Sequence, residues 1–169
     1  MEQRINREES SAGSRPVLVT RSSPARFCLF MLGAESFAVE LSQVCEVFTL
    51  ESITPVPDMP SVLVGVANVH GTIVPLADLR PVLEVPSSPA PRYAVIMRCG
   101  AQPIGLVIDE IPEIGTIEIN DTLDELPGEM ARHRPFLSGL LRLGSRVSGV
   151  VEVSRLVAML DGTLDRQAA

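Results

Sequence analysis

The sequence predicts an all-β protein with a few short helices, built as two small barrels of about five strands packed together. Three observations carry that expectation. Hydrophobic residues make up 46% of the 169-residue chain but aromatics only 4%, with no Trp and one Tyr, so Val, Leu and Ile must fill the core. That bias toward β-branched side chains suits strands. Twelve Gly and 14 Pro punctuate the apolar runs, as many short strands joined by turns require. Finally, the chain repeats itself.

A shift of 67 residues places Gly33 on Gly100, Phe37 on Ile104, Val39 on Leu106, Val44 on Ile111, Glu46 on Glu113 and Val47 on Ile114. A shift of 74 places Gly65 on Gly139, Val66 on Leu140, Val69 on Leu143, Ile73 on Val147, Leu76 on Val150 and Asp78 on Glu152. The seven-residue difference falls in the acidic segment and the loop that follows it.

In chain order, residues 1–26 are polar and without periodicity, and read as a disordered tail. The folded unit is expected over residues 27–160, with residues 161–169 as a second tail. Phe27–Leu32 is a strand apolar on both faces, and Gly33–Ser36 a turn. Phe37–Leu41 alternates, and Val44, Val47 and Phe48 carry a third strand that includes Cys45 and Glu46. Asp58 is suited to cap a short helix with Pro60 in its first turn and Gly65 at its end. Residues 65–79 then form a hairpin, broken at Asn68-Val69-His70-Gly71, where Asn, His and Gly tolerate a positive φ. So apolar a hairpin must be packed on both faces. Asp78 is suited to cap a second short helix over Leu79–Glu84. Pro86–Pro91, with three prolines, reads as a linker between the two copies.

After the linker the pattern restarts with strands at Tyr93–Met97 and Ile104–Ile108, and Ile111, Ile114, Ile117 and Ile119 continue it. Residues 109–129 hold eight acids and no Arg, the pattern of a solvated acidic face. Pro127–Pro135 reads as a loop. Leu137–Leu143 and Val147–Val153 form a second hairpin, turning at Gly144-Ser145-Arg146. Ser154 is suited to cap a closing helix, Arg155–Leu160, that ends at Gly162.

The charge of −7 disfavours nucleic acid as a partner. All 14 basic residues are Arg, so Schiff-base, phosphate-loop Lys and Ser–Lys chemistries are excluded. Cys28, Cys45 and Cys99 are far apart and read as small buried hydrophobes in a reducing compartment. His70 and His133 each lack a second His at metal-ligand spacing and read as solvated loop residues. No apolar run approaches the roughly 18 residues of a membrane span, and Val17-Leu18-Val19 is too short for a signal peptide. The expectation is a cytoplasmic, non-catalytic binding protein without cofactor or metal and without direct membrane insertion. Its strand edges and the seam between its lobes are the expected binding surfaces. A small-molecule sensor that uses the seam as a pocket is the rival of a different class.

Several motifs appear in order: Phe30-x-Leu32-Gly33, Phe37-Ala-Val39, Val44-x-Glu46-Val47, Thr54-Pro-Val56-Pro57, Met59-Pro60, Gly65-Val-x-Asn68-x-x-Gly71-x-Ile-Val-Pro75-x-x-Asp78-Leu79, Gly105-Leu-Val-x-Asp109 and Phe136-Leu-x-Gly139. Over residues 27–160 the chain resembles the CheW-like family, the coupling proteins of bacterial chemosensory arrays. The resemblance implies two SH3-like five-stranded barrels around a shared hydrophobic core. It also implies an adaptor between a methyl-accepting chemoreceptor's cytoplasmic tip and a CheA-type histidine kinase. The receptor would dock between the lobes and the kinase at one lobe's edge. Carried over, Val44 and Glu46 fall on the third strand, a contact region; Gly65, Asn68 and His70 fall on the hairpin and its approach. At His70 the family usually has Arg, pairing with the Glu matched here by Glu46. Histidine is shorter and, with an ordinary pKa of about 6.5, mostly neutral at pH 7, so an Arg–Glu fork is expected to be weakened or lost. Ser148-Gly149 likewise replaces a usual aliphatic run. An adaptor of a non-taxis chemosensory system, serving surface motility or second-messenger control, is the same-fold alternative.

Overall fold

The structure is a computed structural model that describes residues 24–86, 91–117 and 121–168. The N-terminal tail before Pro24, most of the proline linker and Ile119 lie outside the described residues. Among these residues eleven strands form two sheets. One has the order β8-β1-β2-β11-β10-β9 and the other β3-β6-β7-β5-β4. The strands are β1 Arg26–Leu32, β2 Glu35–Glu40, β3 Val44–Thr49, β4 Leu63–Val69, β5 Thr72–Ala77, β6 Tyr93–Cys99, β7 Gln102–Ile108, β8 Glu113–Thr116, β9 Thr122–Asp124, β10 Leu137–Leu143 and β11 Arg146–Val151. Three α-helices accompany them: α1 Arg80–Leu83, α2 Gly128–His133 and α3 Val153–Ala168.

The repeat is visible in the topology, but each sheet is not one copy. Hairpin β1–β2 pairs with β8 and β11 from the second half, and β6–β7 pairs with β3 and β5 from the first. Exchanging the equivalent strands of the two copies turns the order β8-β1-β2-β11-β10 into β3-β6-β7-β5-β4. The register agrees residue by residue. The parallel pair Val150–Ala38 corresponds to Leu76–Gly105, and both hairpins carry a β-bulge, between Leu63 and Gly65 and between Leu137 and Gly139. Even β9 has a counterpart: Asp124 pairs with Leu140 as Thr54 bridges to Val66.

This exchange explains why β1 and β6 are apolar on both faces. On β1, Phe27 and Leu29 line their own lobe beside Ala38, Leu141 and Val150. Cys28, Phe30 and Leu32 face a second, shared core together with Phe37, Val39, Val95, Met97, Leu106, Phe136 and Leu156. On β6, Ala94 and Ile96 line the other lobe with Ala67, Val69, Val74, Leu76 and Val107. Each sheet is therefore buried on both sides, which demands near-continuous apolar strands. For the same reason Ala38 on β2 is as buried as Phe37 and Val39, where simple alternation is expected.

Several local expectations are corrected. Asp58 caps no helix: its φ of 59° is left-handed, and a tight turn closes through the Leu63 N–H donating to the Pro60 carbonyl. The segment 127–135 contains α2, held down by Arg134, whose guanidinium grips both carboxylate oxygens of Glu35 on β2. Helix α3 begins at Val153, ahead of Ser154, and runs through Gly162. Its buried side chains Val153, Leu156 and Leu160 follow the helical period and all lie ahead of Gly162. Cys28 is buried, but Cys99 is half-buried and Cys45 exposed, because Cys45 is the bulge residue of an edge strand.

Candidate partner-docking edge

Strand β3 is the last strand of its sheet, and its outer edge is unpaired among the described residues. A bulge against β6 falls between Val44 and Glu46: Val44 is opposite Met97 and Glu46 opposite Ile96. Met97 belongs to the shared core and Ile96 to the lobe interior. The bulge therefore sorts two residues that simple alternation would place together. Val44 packs against the shared core, while Glu46 lines the mouth of the lobe beside Phe48. Val47, opposite Val95, faces the seam and is 38% exposed.

The β4–β5 hairpin meets this edge at its turn. Its strands run to Val69 and resume at Thr72, so the turn is the two residues His70 and Gly71, with φ of 51° and 87°. Positive φ at both positions is the turn whose twist matches a hairpin, and Gly71 and His70 supply it. The Asn68 side-chain carbonyl accepts the Gly71 N–H at 2.8 Å and fixes the turn. The turn aims His70 across the lobe, where Nε2 lies 2.9 Å from Glu46 Oε2 and the ring stands edge to face with Phe48, centroids 5.7 Å apart. The carboxylate only accepts, so Nε2 donates. The fork expected to be weakened or lost is replaced by a single hydrogen bond. Both partners are solvent-accessible, the His70 side chain 71% and Glu46 37%, which limits the contact to at most about 1 kcal/mol.

Of the five residues singled out in the sequence, Glu46, Asn68 and His70 come together at this mouth. Gly65 does not. It is buried in the bulge of β4 at φ 145°, and a Cβ there would lie 2.4 Å from the Thr54 carbonyl oxygen. Its role is to let residue 54 bridge to Val66. Val44 lies on the opposite, seam-facing side of the same strand.

A buried cluster escaped the sequence reading. Arg80 at the start of α1 is 1% exposed; its Nη1 donates to Asp78 Oδ2 at 2.9 Å and its Nη2 to Asp109 Oδ1 at 2.6 Å. Asp78 Oδ1 also accepts the Arg80 N–H, so the acid expected only to cap α1 does so while holding a buried cation. Among the described residues Arg80 Nε has no hydrogen-bond partner. The sequence signal was an Arg two residues beyond an Asp at a helix start, which spacing alone does not separate from a surface Arg. On the other lobe, Gly149 leaves room for Phe37, a Cβ there standing 3.3 Å from its ring, and Ser148 is fully buried with its hydroxyl 2.7 Å from that of Ser36. The departure at 148–149 thus suits a mutual fit with β2.

This geometry defines a class: a double-barrel protein whose exposed edge and hairpin turn form one surface. A family model for the CheW-like domain matches residues 26–161, and the chain belongs to the CheW-like family, whose members are scaffold proteins. It is 24% identical to the chemotaxis protein CheW of Klebsiella aerogenes over 78% of this chain and 81% of that one. It is 28% identical to a probable chemotaxis protein CheW of Rhizobium etli, over 75% and 83%. It is also similar to protein PilI of Pseudomonas aeruginosa, 26% identical over 66% of this chain and 64% of that one. Among solved structures, the scaffolding protein TtCheW from Thermoanaerobacter tengcongensis superposes with a TM-score of 0.68 at 22% identity, over 80% and 88% of the two chains. The fold is thus the expected pair of SH3-like lobes around a shared core, with β9 as a sixth strand on one sheet. Among the described residues no helix is long and apolar enough to cross a membrane.

Proposed function

We propose that this chain is a non-catalytic, cytoplasmic adaptor that couples the cytoplasmic tips of methyl-accepting chemoreceptors to a CheA-type histidine kinase. The observation that carries the reading is the Glu46–His70 contact, which joins the exposed β3 edge and the β4–β5 turn into one polar docking surface. The kinase's homologous barrel docks on this surface, with Glu46, Asn68 and His70 as its centre. Receptor helices dock on the seam side, where Val44 and Val47 face away from the mouth. Gly65 acts in docking through the backbone it shapes. The test is a pull-down of purified kinase by wild type and by Glu46→Arg. Loss of about tenfold or more in the variant supports the edge, and equal capture by both rejects it. A seam substitution, Val47→Asp, should weaken receptor capture while sparing the kinase.

The likeness to protein PilI favours a second reading, an adaptor of a chemosensory system other than taxis. Affinity capture from the native cell separates the two by the identity of the kinase and receptor retained. The small-molecule sensor is tested by thermal shift with metabolites: one compound that stabilises the chain without any protein partner would favour it.

A further inference from the structure

Each lobe carries an exposed contact from a glutamate on its edge strand, to a histidine in one lobe and to an arginine in the other. Glu46 on β3 meets His70 at the β4–β5 turn, Nε2 to Oε2 2.9 Å. Glu113 on β8, the repeat counterpart of Glu46, meets Arg146, the first residue of β11 just past the β10–β11 turn, Nη1 to Oε2 3.1 Å. Both glutamates stand on edge strands, opposite residues that line their own lobe: Ile96 for Glu46 and Leu29 for Glu113. Both contacts are exposed, so neither is fixed by burial.

Arginine stays charged at every pH a folded protein meets, whereas imidazole is the side chain that ordinarily changes charge between about pH 5 and 8. A protonated ring offers Glu46 an N–H and a full positive charge. A neutral ring offers an N–H alone, and only in one tautomer. Of the elements around His70, β3 contributes the carboxylate of Glu46 and the uncharged ring of Phe48, and its own hairpin contributes the uncharged Asn68, Gly71 and Thr72. Among the described residues the anion in contact with the ring is Glu46.

We propose that His70 is a proton-operated latch on the β3 edge. As pH falls the latch tightens and holds β3 to the hairpin turn; as pH rises it slackens and β3 opens from β6 more often. The Glu113–Arg146 contact of the other lobe does not respond. The latch stands on this geometry alone, and its consequence, kinase docking strengthened by a better-ordered edge, rests on the docking reading above.

The test is amide hydrogen exchange on the full chain at about pH 5.5 and about pH 7.5, two values that straddle imidazole titration, with intrinsic rates divided out. The amides of β3 that bond to β6 should be about two- to fivefold better protected at the lower pH, the range of an exposed ion pair, while those of β8 that bond to β1 stay unchanged. His70→Arg should hold β3 protected at both values and His70→Gln at neither. A wild-type β3 insensitive to pH, or a His70→Gln variant with the same response, overturns the latch. Affinity for the purified kinase regulatory domain at the same two pH values then reads the consequence. Tighter binding at low pH in wild type but not in His70→Arg supports it. Equal binding at both overturns regulation while the exchange result keeps the latch, and no binding at either removes the docking reading instead.

Discussion

Arg80 sits beneath α1 between two carboxylates, and the physics of that position is severe. A guanidinium at 1% exposure is tolerated because Asp78 and Asp109 surround it. Removing it leaves two acids facing each other with no cation. Arg80→Met is therefore expected to destabilise the chain by about 3–5 kcal/mol in urea unfolding, although it adds apolar bulk. Gly65→Ala should cost about 2–3 kcal/mol by the same assay, because its Cβ meets a backbone carbonyl that cannot yield without breaking the residue 54 bridge. The cysteines separate by environment. Burial pushes the Cys28 thiol up to about 11 from an ordinary 9.0, whereas Cys45 is exposed. A thiol reagent near pH 8 should label Cys45 in the native chain and reach Cys28 only after unfolding. The unfolded chain releases the Cys28 proton near 9.0 while the native chain keeps it to about 11. The contribution of Cys28 to stability is thus full below that window and falls as pH rises through it.

At the scale of elements, the bulges do the sorting. The one in β3 puts Val44 on the seam and Glu46 on the mouth; without it the two would share a face. Strand periodicity identified β3 but could not show this, since a bulge depends on what the neighbouring strand presents. Helix α3 shows the opposite limit. Its first turns bury Val153, Leu156 and Leu160, while the stretch from Asp161 to Arg166 is mostly exposed. Leu156→Ala should cost about 2–5 kcal/mol in thermal or urea unfolding, whereas truncation after Asp161 should cost less than about 1 kcal/mol. Past Gly162 the helix continues with Leu164 exposed and Thr163 Oγ1 donating to the Met159 carbonyl. Helix α2 was illegible for a related reason: six residues between prolines carry too little periodicity, and Met130 and Arg134 gain their partners only from distant strands.

In the whole molecule, each sheet borrows a hairpin from the other copy of the repeat. Neither half can therefore complete a sheet alone, since β1–β2 would lack β8 and β11, and β6–β7 would lack β3 and β5. A chain split between Pro86 and Pro91 is expected to give two fragments that are unfolded apart by circular dichroism and refold together on mixing, with the elution volume of the intact chain. Two fragments that fold separately would refute the exchange. The sequence by itself determined the strand-rich class, both hairpins with their turns, and the repeat and its register, because all of these are written in local patterns of period two and in Gly, Asn and Pro chemistry. Only the tertiary structure decided that the copies exchange strands, that Val44 and Glu46 face opposite ways, that Arg80 is a buried ion centre and that His70 still reaches its carboxylate. Those outcomes depend on which residues from distant parts of the chain arrive opposite one another, and a local pattern carries no record of that.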